Sequence, residues 1–179
     1  MKLASLISFA LCGMMSCDIA PAASLQALVA PPPSEQDGEF MVRAVEASRQ
    51  QVSEAHVASQ STRRTQIQAT ARSIASDHAH AIRRLVELAR RKGMDIPRDV
   101  GLRRDVAGSG ESDPDRIAGF LKAHEAAVAL FHQEAVRGMD PDLKRFARAT
   151  LPTLQRRLAA LRSLQDMYPP NMDPSRSDG

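Results

Sequence analysis

Apolar residues recur every three or four positions along four segments of this chain, which is the spacing of one face of an α-helix. The first segment runs from about residue 34 to 60 and the second from about residue 62 to 92. The third opens at Asp113-Pro114 and the fourth at Asp140-Pro141, because an aspartate cap followed by proline is a common helix start. No β-branched run interrupts the pattern, which therefore predicts an all-α protein.

The lengths of the connections predict how the four helices are joined. Very short turns link the first helix to the second and the third to the fourth, so each pair should form an antiparallel hairpin. The connection over residues 93–113 can extend to roughly 65 Å, whereas a thirty-residue helix is about 45 Å long. This predicts a four-helix bundle over residues 34–168 with one long crossover, the ferritin-like arrangement. A simple up-down bundle with an insertion stays open as the alternative.

The N-terminus has the pattern of an export signal. Lys2 precedes an apolar run over residues 3–15, which is too short to span a membrane, and Ala20-Pro21-Ala22 offers a cleavage site. We therefore expect a signal peptide at 1–22 and an exported, periplasmic protein, with lipidation of Cys17 as the alternative. A Pro-rich linker (23–33) and a disordered tail (169–179) are predicted to flank the bundle, and no transmembrane span is expected in the mature chain.

Composition and charge narrow the classes of function. Both cysteines, Cys12 and Cys17, lie in the predicted signal, so the mature chain would have no disulfide and no thiolate chemistry. The chain has no Trp and one Tyr, which together with export disfavours nucleic acid as a partner. The second segment is rich in basic residues, which form either a solvated face or a surface for an anionic envelope polymer or lipid. The candidates are Arg83, Arg84, Arg90, Arg91 and Lys92. The sequence leaves a homo-oligomer open.

Ionisable residues interrupt the apolar stripe of every helix. They are Glu54, His78, His124 and Arg157, with Asp77 beside His78. Buried groups of this kind need partners, and two arrangements would supply them. One is a metal ion held by Glu54, His78 and His124, with Asp77 as a further ligand. The other is a metal-free network in which Arg157 pairs with Glu54 or Asp77.

The motifs favour the metal-free network. A ferritin-type di-iron site uses Glu-x-x-His on two helices, and this chain contains no such motif. The guanidinium of Arg157 in the same layer would repel a divalent cation. No cofactor is therefore expected, and a metal ion is the weaker hypothesis. No catalytic motif occurs, so we expect no enzyme activity.

Two stretches carry a family resemblance. They are "SIASDHAHAIRRLVELARRKGMDIP" (73–97) and "KAHEAAVALFHQEAVRGMDPDLKRFARATLPTLQRRLAAL" (122–161). They resemble the exported bacterial ferritin-like family catalogued as domain of unknown function 4142. The resemblance implies a four-helix bundle, an export signal and no established activity. Its pattern falls on Asp77, His78, His124, Leu151 and Pro152, with Glu54 where members commonly have Glu; many members have histidine where Arg157 stands.

Two functional hypotheses remain. The first is a non-catalytic envelope or stress-related binding module with an interior cluster formed by Glu54, Asp77, His78, His124 and Arg157. The second is a ferritin-like metal-binding or redox protein.

Overall fold

The computed structural model describes residues 32–97 and 111–169, and every regular element in these ranges is a helix. The helices are α1 (Glu35–Ser61), α2 (Thr65–Arg91), α3 (Asp113–Arg137) and α4 (Pro141–Met167). The predicted all-α four-helix bundle is confirmed. The predicted signal peptide, nearly all of the linker and nearly all of the tail lie outside the described residues.

Side-chain caps set three of the four helix starts. Ser34 and Ser112 each accept a hydrogen bond from the backbone N–H three residues later, and Asp140 accepts two, from Asp142 and Leu143. The second helix begins at Thr65, later than predicted, because Thr62 belongs to the end of α1: its N–H bonds to the Ala58 carbonyl. Helix α2 ends before Gly93, which has a φ of 70° and so takes the left-handed conformation that glycine tolerates best.

Contacts at the two ends of the bundle give the direction of each helix. At one end, Asp37 near the start of α1 accepts hydrogen bonds from Met139 and Asp140 in the α3–α4 turn. At the other end, the Thr62 hydroxyl after α1 donates to Asp113 at the start of α3. Helices α1 and α4 therefore run one way, and α2 and α3 run the other way. The end of α2 and the start of α3 therefore lie at opposite ends of the bundle, as the length of the connection predicts.

The core consists of two apolar clusters stacked along the bundle. The first includes Phe40, Leu85, Phe131 and Phe146, and the second includes Ile67, Ile74, Ile117 and Leu161. On every helix the change from one cluster to the other occurs over a few residues near the middle, and polar side chains occupy that interval. None of the described helices is long and apolar enough to span a membrane.

Candidate functional site

Two buried imidazoles meet at the centre of the bundle, between the two apolar clusters. His78 of α2 and His124 of α3 lie with ring centroids 5.3 Å apart and ring planes at 81°, an edge-to-face contact. Helices α2 and α3 pack against α1 and α4 rather than against each other. The two rings therefore meet across the diagonal of the bundle, as the position of both histidines on apolar stripes predicts. The other histidines, His56, His80 and His132, are exposed.

One nitrogen of each ring is held by a neighbour. His124 Nδ1 lies 2.9 Å from the carbonyl oxygen of Phe120, which can only accept, so Nδ1 carries the proton. His78 Nδ1 lies 3.2 Å from the hydroxyl oxygen of Ser48 on α1. His78 Nε2 is buried and has no hydrogen-bond partner among the described residues.

An ion pair completes the central layer. Arg157 of α4 donates from Nε and Nη2 to Oδ2 of Asp77 on α2, at 3.2 and 2.5 Å. Both side chains are partly buried, with 23% and 33% of their surface exposed. The sequence left Glu54 and Asp77 open as partners of Arg157, and in the structure the partner is Asp77. All four helices thus contribute a polar side chain to one layer: Ser48, His78, His124 and Arg157, with Asp77 beside them.

Burial keeps the two imidazoles neutral. It is the main cause that lowers the pKa of His78 to about 4, and repulsion from His124 and Arg157 adds to it while Asp77 opposes it. Burial also lowers the pKa of His124, against the hydrogen bond to the Phe120 carbonyl. At neutral pH the layer therefore contains two uncharged rings and one internally neutralised ion pair.

Glu54 does not join the imidazoles. Its carboxylate accepts hydrogen bonds of 2.8 Å from the side-chain amides of Gln50 and Gln51 on its own helix. The buried positions of α1 include Ser48, Gln51 and Ala55, so Glu54 flanks the interior stripe instead of lying on it. Ser48 and Gln51 are the α1 residues of the central layer, and neither of them belongs to the cluster predicted from the sequence.

A cavity of about 510 Å³ lies between α1 and α3 and reaches the layer. This volume falls within the range of about 300–1,000 Å³ that is usual for small-molecule sites. Its walls combine small residues with larger apolar ones, including Ala47, Gly119, Ala123, Phe120 and Phe131. Ser48, Gln51, His78 and Arg116 are the buried polar residues of its lining. The charged residues Arg43, Glu54, Glu111 and Lys122 line it as well.

The predicted metal ligands do not form a metal site. No group of three or more His, Cys, Asp and Glu side chains within residues 32–97 and 111–169 is arranged to hold a metal ion. Glu54 is bound by amides and Asp77 by a guanidinium. The charge of Arg157 also opposes positive charge on both imidazoles. The donor set of these residues therefore does not fit a resident metal ion.

The predicted basic surface loses one member in the structure. Lys92 is buried, and its ammonium lies 2.6 Å from Asp140 and 3.3 Å from Asp142, so it joins α2 to the start of α4. Arg90 and Arg91 are exposed and pair with Glu87. Lys92 was therefore wrongly included among the surface cations, because the chain folds it onto the start of α4.

A second pair of buried polar residues, which was not predicted from the sequence, lies at one end of the bundle. Asp37 and Glu134 are each 1% exposed, at the end of the bundle where α1 begins and α3 ends. Asp37 accepts hydrogen bonds from Ser34, Met139 and Asp140, whereas neither carboxyl oxygen of Glu134 has a donor among the described residues.

The Glu134 carboxyl can therefore bond to Asp37 only when it is protonated. Burial, followed by the charge of Asp37, raises the pKa of Glu134 to about 7. The hydrogen bonds that Asp37 receives lower its own pKa even though burial opposes this. A residue whose side chain is usually solvated gives no signal of this pairing in the sequence.

Comparison with known proteins agrees with this fold. The family model described as "Domain of unknown function (DUF4142)" matches residues 22–164, which confirms the resemblance inferred from the sequence. A DUF305 fragment from Deinococcus radiodurans has a similar structure, with a TM-score of 0.65, 16% identity, and coverage of 76% of this chain and 99% of that one. A conserved hypothetical protein from Mycobacterium tuberculosis has a TM-score of 0.64 and 10% identity, with coverage of 73% and 98%. No curated protein matches the sequence at a significant level. At these identities the solved structures support the fold alone.

Proposed function

As the chain belongs to the DUF4142 family, whose name states no activity, we propose from its own geometry that it is a non-catalytic binding module of the cell envelope, with a stress-related role. Its ligand is a small molecule that enters the cavity between α1 and α3. The observation that carries the proposal is that buried polar side chains of the central layer line this cavity. A cavity lined by apolar residues alone would be an ordinary packing gap.

The chemistry of the layer favours binding over catalysis. A general acid or base works best with a pKa near the working pH. The pKa of His78 lies far below neutrality, and Arg157 already neutralises Asp77. The side chains of the layer are thus suited to offering fixed hydrogen bonds to a ligand rather than to exchanging protons with one.

The cavity can be tested with small neutral probes. We expect a panel of aromatic and aliphatic molecules to shift the amide resonances of Gln51, His78 and Ala123 in the 15N-labelled protein. Ala123→Leu places a larger side chain in the cavity wall and should abolish those shifts. Ala129→Leu is the matched control, because Ala129 is exposed on the same helix and does not line this cavity. Shifts that survive Ala123→Leu, or no shifts at all, would refute the site.

Export belongs to the same proposal. The pattern of residues 1–22 supports it, and the family match begins at residue 22. Cell fractionation with N-terminal sequencing should find a periplasmic chain that begins at Ala23. A chain that retains residues 1–22 in the cytoplasmic fraction would contradict export, and a lipid-modified Cys17 would favour the alternative of a lipoprotein.

The ferritin-like metal-binding or redox protein remains the alternative. The connectivity of the bundle is the one that ferritin-type folds use, which supports it. The donor set described above opposes it. Elemental analysis of the purified protein for Fe, Zn, Cu and Mn distinguishes the two. Stoichiometric metal that is lost in His78→Ala would favour the alternative over the small-molecule site.

A further inference from the structure

The orientation of one buried amide defines the first polar atom of the cavity. Gln51 is 3% exposed, and its Nε2 donates to Oε2 of Glu54 at 2.8 Å. A carboxylate cannot donate, so the amide nitrogen must face Glu54 and the carbonyl oxygen must face away. That oxygen, Gln51 Oε1, is buried and has no hydrogen-bond partner in the described part of the chain. One residue of the cavity lining therefore has a free acceptor.

The hydroxyl of Ser48 defines the second polar atom. Helical hydroxyls such as those of Ser73 and Thr150 donate to the carbonyl four residues earlier. Ser48 makes no bond of this kind within residues 32–97 and 111–169, and its partner is Nδ1 of His78. The hydroxyl proton is used only if Ser48 donates to Nδ1, which places the ring proton on Nε2. His78 Nε2 is therefore a buried donor on a residue that lines the cavity.

These two atoms belong to residues that line the same cavity, and they are complementary in kind. Ser48, which holds His78, and Gln51 are three residues apart on α1, so they are neighbours on one helix face. One free donor and one free acceptor match a group that can both accept and donate. A hydroxyl group is the smallest organic group with this capacity.

The rest of the cavity restricts the ligand further. The other lining residues include Phe120, Phe131 and Leu130, together with several alanines. The charged residues of the lining are bonded or exposed: Glu54 is bound by two amides, Arg43 pairs with Glu39, Arg116 donates to the Glu111 carbonyl, and Glu111 and Lys122 are exposed. A charged group beside the uncharged side chains of Ser48, Gln51 and His78 would meet no opposite charge on them and would lose its hydration.

Building on the proposed function, we infer that the cavity binds a neutral, largely apolar molecule with an alcohol or phenol hydroxyl. The hydroxyl oxygen accepts a hydrogen bond from His78 Nε2, and its proton is donated to Gln51 Oε1. The apolar part lies against the aromatic wall between α1 and α3.

The probes for this inference are 4-methylphenol and toluene, which differ only in the hydroxyl. Dissociation constants would be measured by NMR titration of the full chain. Gln51→Met keeps the side-chain size but removes the acceptor. The dissociation constant of 4-methylphenol should therefore rise about 3- to 10-fold, which corresponds to the usual contribution of one hydrogen bond. Binding of toluene should be unchanged or tighter. Gln133→Met, an exposed substitution of the same kind outside this cavity, should affect neither probe.

Ser48→Ala provides an independent test in case Gln51→Met does not fold. It releases His78 Nδ1, so the ring proton is no longer held on Nε2. Binding of 4-methylphenol should therefore weaken in this variant too, whereas binding of toluene should not. If both probes bind in the cavity and the variants change the two dissociation constants equally or not at all, the inference about the hydroxyl is wrong, but the cavity is still a binding site. If neither probe shifts the resonances of the cavity residues, the inference and the proposed function both fail.

Discussion

Replacing Glu134 by glutamine should stabilise the protein, and by much more at pH 8 than at pH 4.5. The perturbation is small in shape, since glutamine has nearly the size of glutamic acid. Its amide can donate to Asp37 as the protonated carboxyl does. What changes is that the side chain at position 134 can no longer ionise next to a buried carboxylate.

The magnitude follows from the pKa of Glu134, which burial and Asp37 raise from 4.5 to about 7. Below pH 4.5 the side chain is protonated in both the folded and the unfolded chain, so it adds no pH dependence. Between 4.5 and about 7 the folded protein binds more protons than the unfolded chain, so stability falls as the pH rises. At about 1.4 kcal/mol for each pH unit, the loss amounts to about 3 kcal/mol above pH 7.

The wild-type stability curve alone does not isolate this effect. Burial lowers the pKa of His78 and of His124, so these rings contribute stability that rises with pH over part of the same interval. The quantity to measure is the difference in free energy of unfolding between Glu134→Gln and the wild type, from urea titrations at pH 4.5 and pH 8. The histidine contributions are the same in both proteins and cancel in that difference.

The difference should grow by about 3 kcal/mol from pH 4.5 to pH 8. Glu125→Gln on the same helix is the matched control, because Glu125 is exposed and its ion pair with Arg162 should contribute less than about 1 kcal/mol at either pH. A difference that is equal at the two pH values, or larger at pH 4.5, would refute the protonated carboxyl and its contact with Asp37.

Three further predictions concern the other buried polar groups and the glycines. The wild type should lose about 3 kcal/mol of free energy of unfolding through His78 as the pH falls from 6.5 to about 4, and His78→Phe should remove this loss. Urea titrations of both proteins at the two pH values measure the difference. Asp77→Asn should cost about 1 kcal/mol in 0.1 M salt and less in 1 M salt, because its ion pair is partly exposed. Gly138→Ala should lower the free energy of unfolding by about 1–3 kcal/mol, since the added methyl group would overlap the Glu134 carboxyl. Gly119→Ala is its control and should stabilise α3 by up to about 1 kcal/mol, because its methyl group meets no atom within 4 Å.

The sequence predicted the bundle well because its signals are local. Caps at Ser34 and Asp140, glycine after α2 and the short turns act on neighbouring residues, and the structure places the helices within a few residues of the expected bounds. The length of the connection between α2 and α3 was also enough to favour a crossover. None of these inferences depends on which face of a helix meets which neighbour.

The site was harder to predict because it depends on helix phase. In α1 a strict 3.6-residue repeat passes through both Gln51 and Glu54, whereas the buried positions follow alternating steps of three and four through Ser48, Gln51 and Ala55. This small difference moves Glu54 to the flank and brings Ser48 into the centre. The pairing of Asp37 with Glu134 depends on a contact between the start of α1 and the end of α3, which no pattern along either helix encodes.

The unpartnered polar atoms separate a packing role from a binding role for the central layer. A polar layer in a bundle can be kept because it fixes how the helices align, and such a layer needs each of its polar atoms to be paired. The Asp77–Arg157 pair and the bonded nitrogen atoms of both rings meet that requirement. His78 Nε2 and Gln51 Oε1 do not, and both belong to residues that line the cavity. Protonation accounts for one unpaired oxygen of Glu134, which can then donate to Asp37, but neither atom of the layer has such an account. A requirement for alignment alone would leave no reason to keep a buried donor and a buried acceptor beside a space large enough for a ligand.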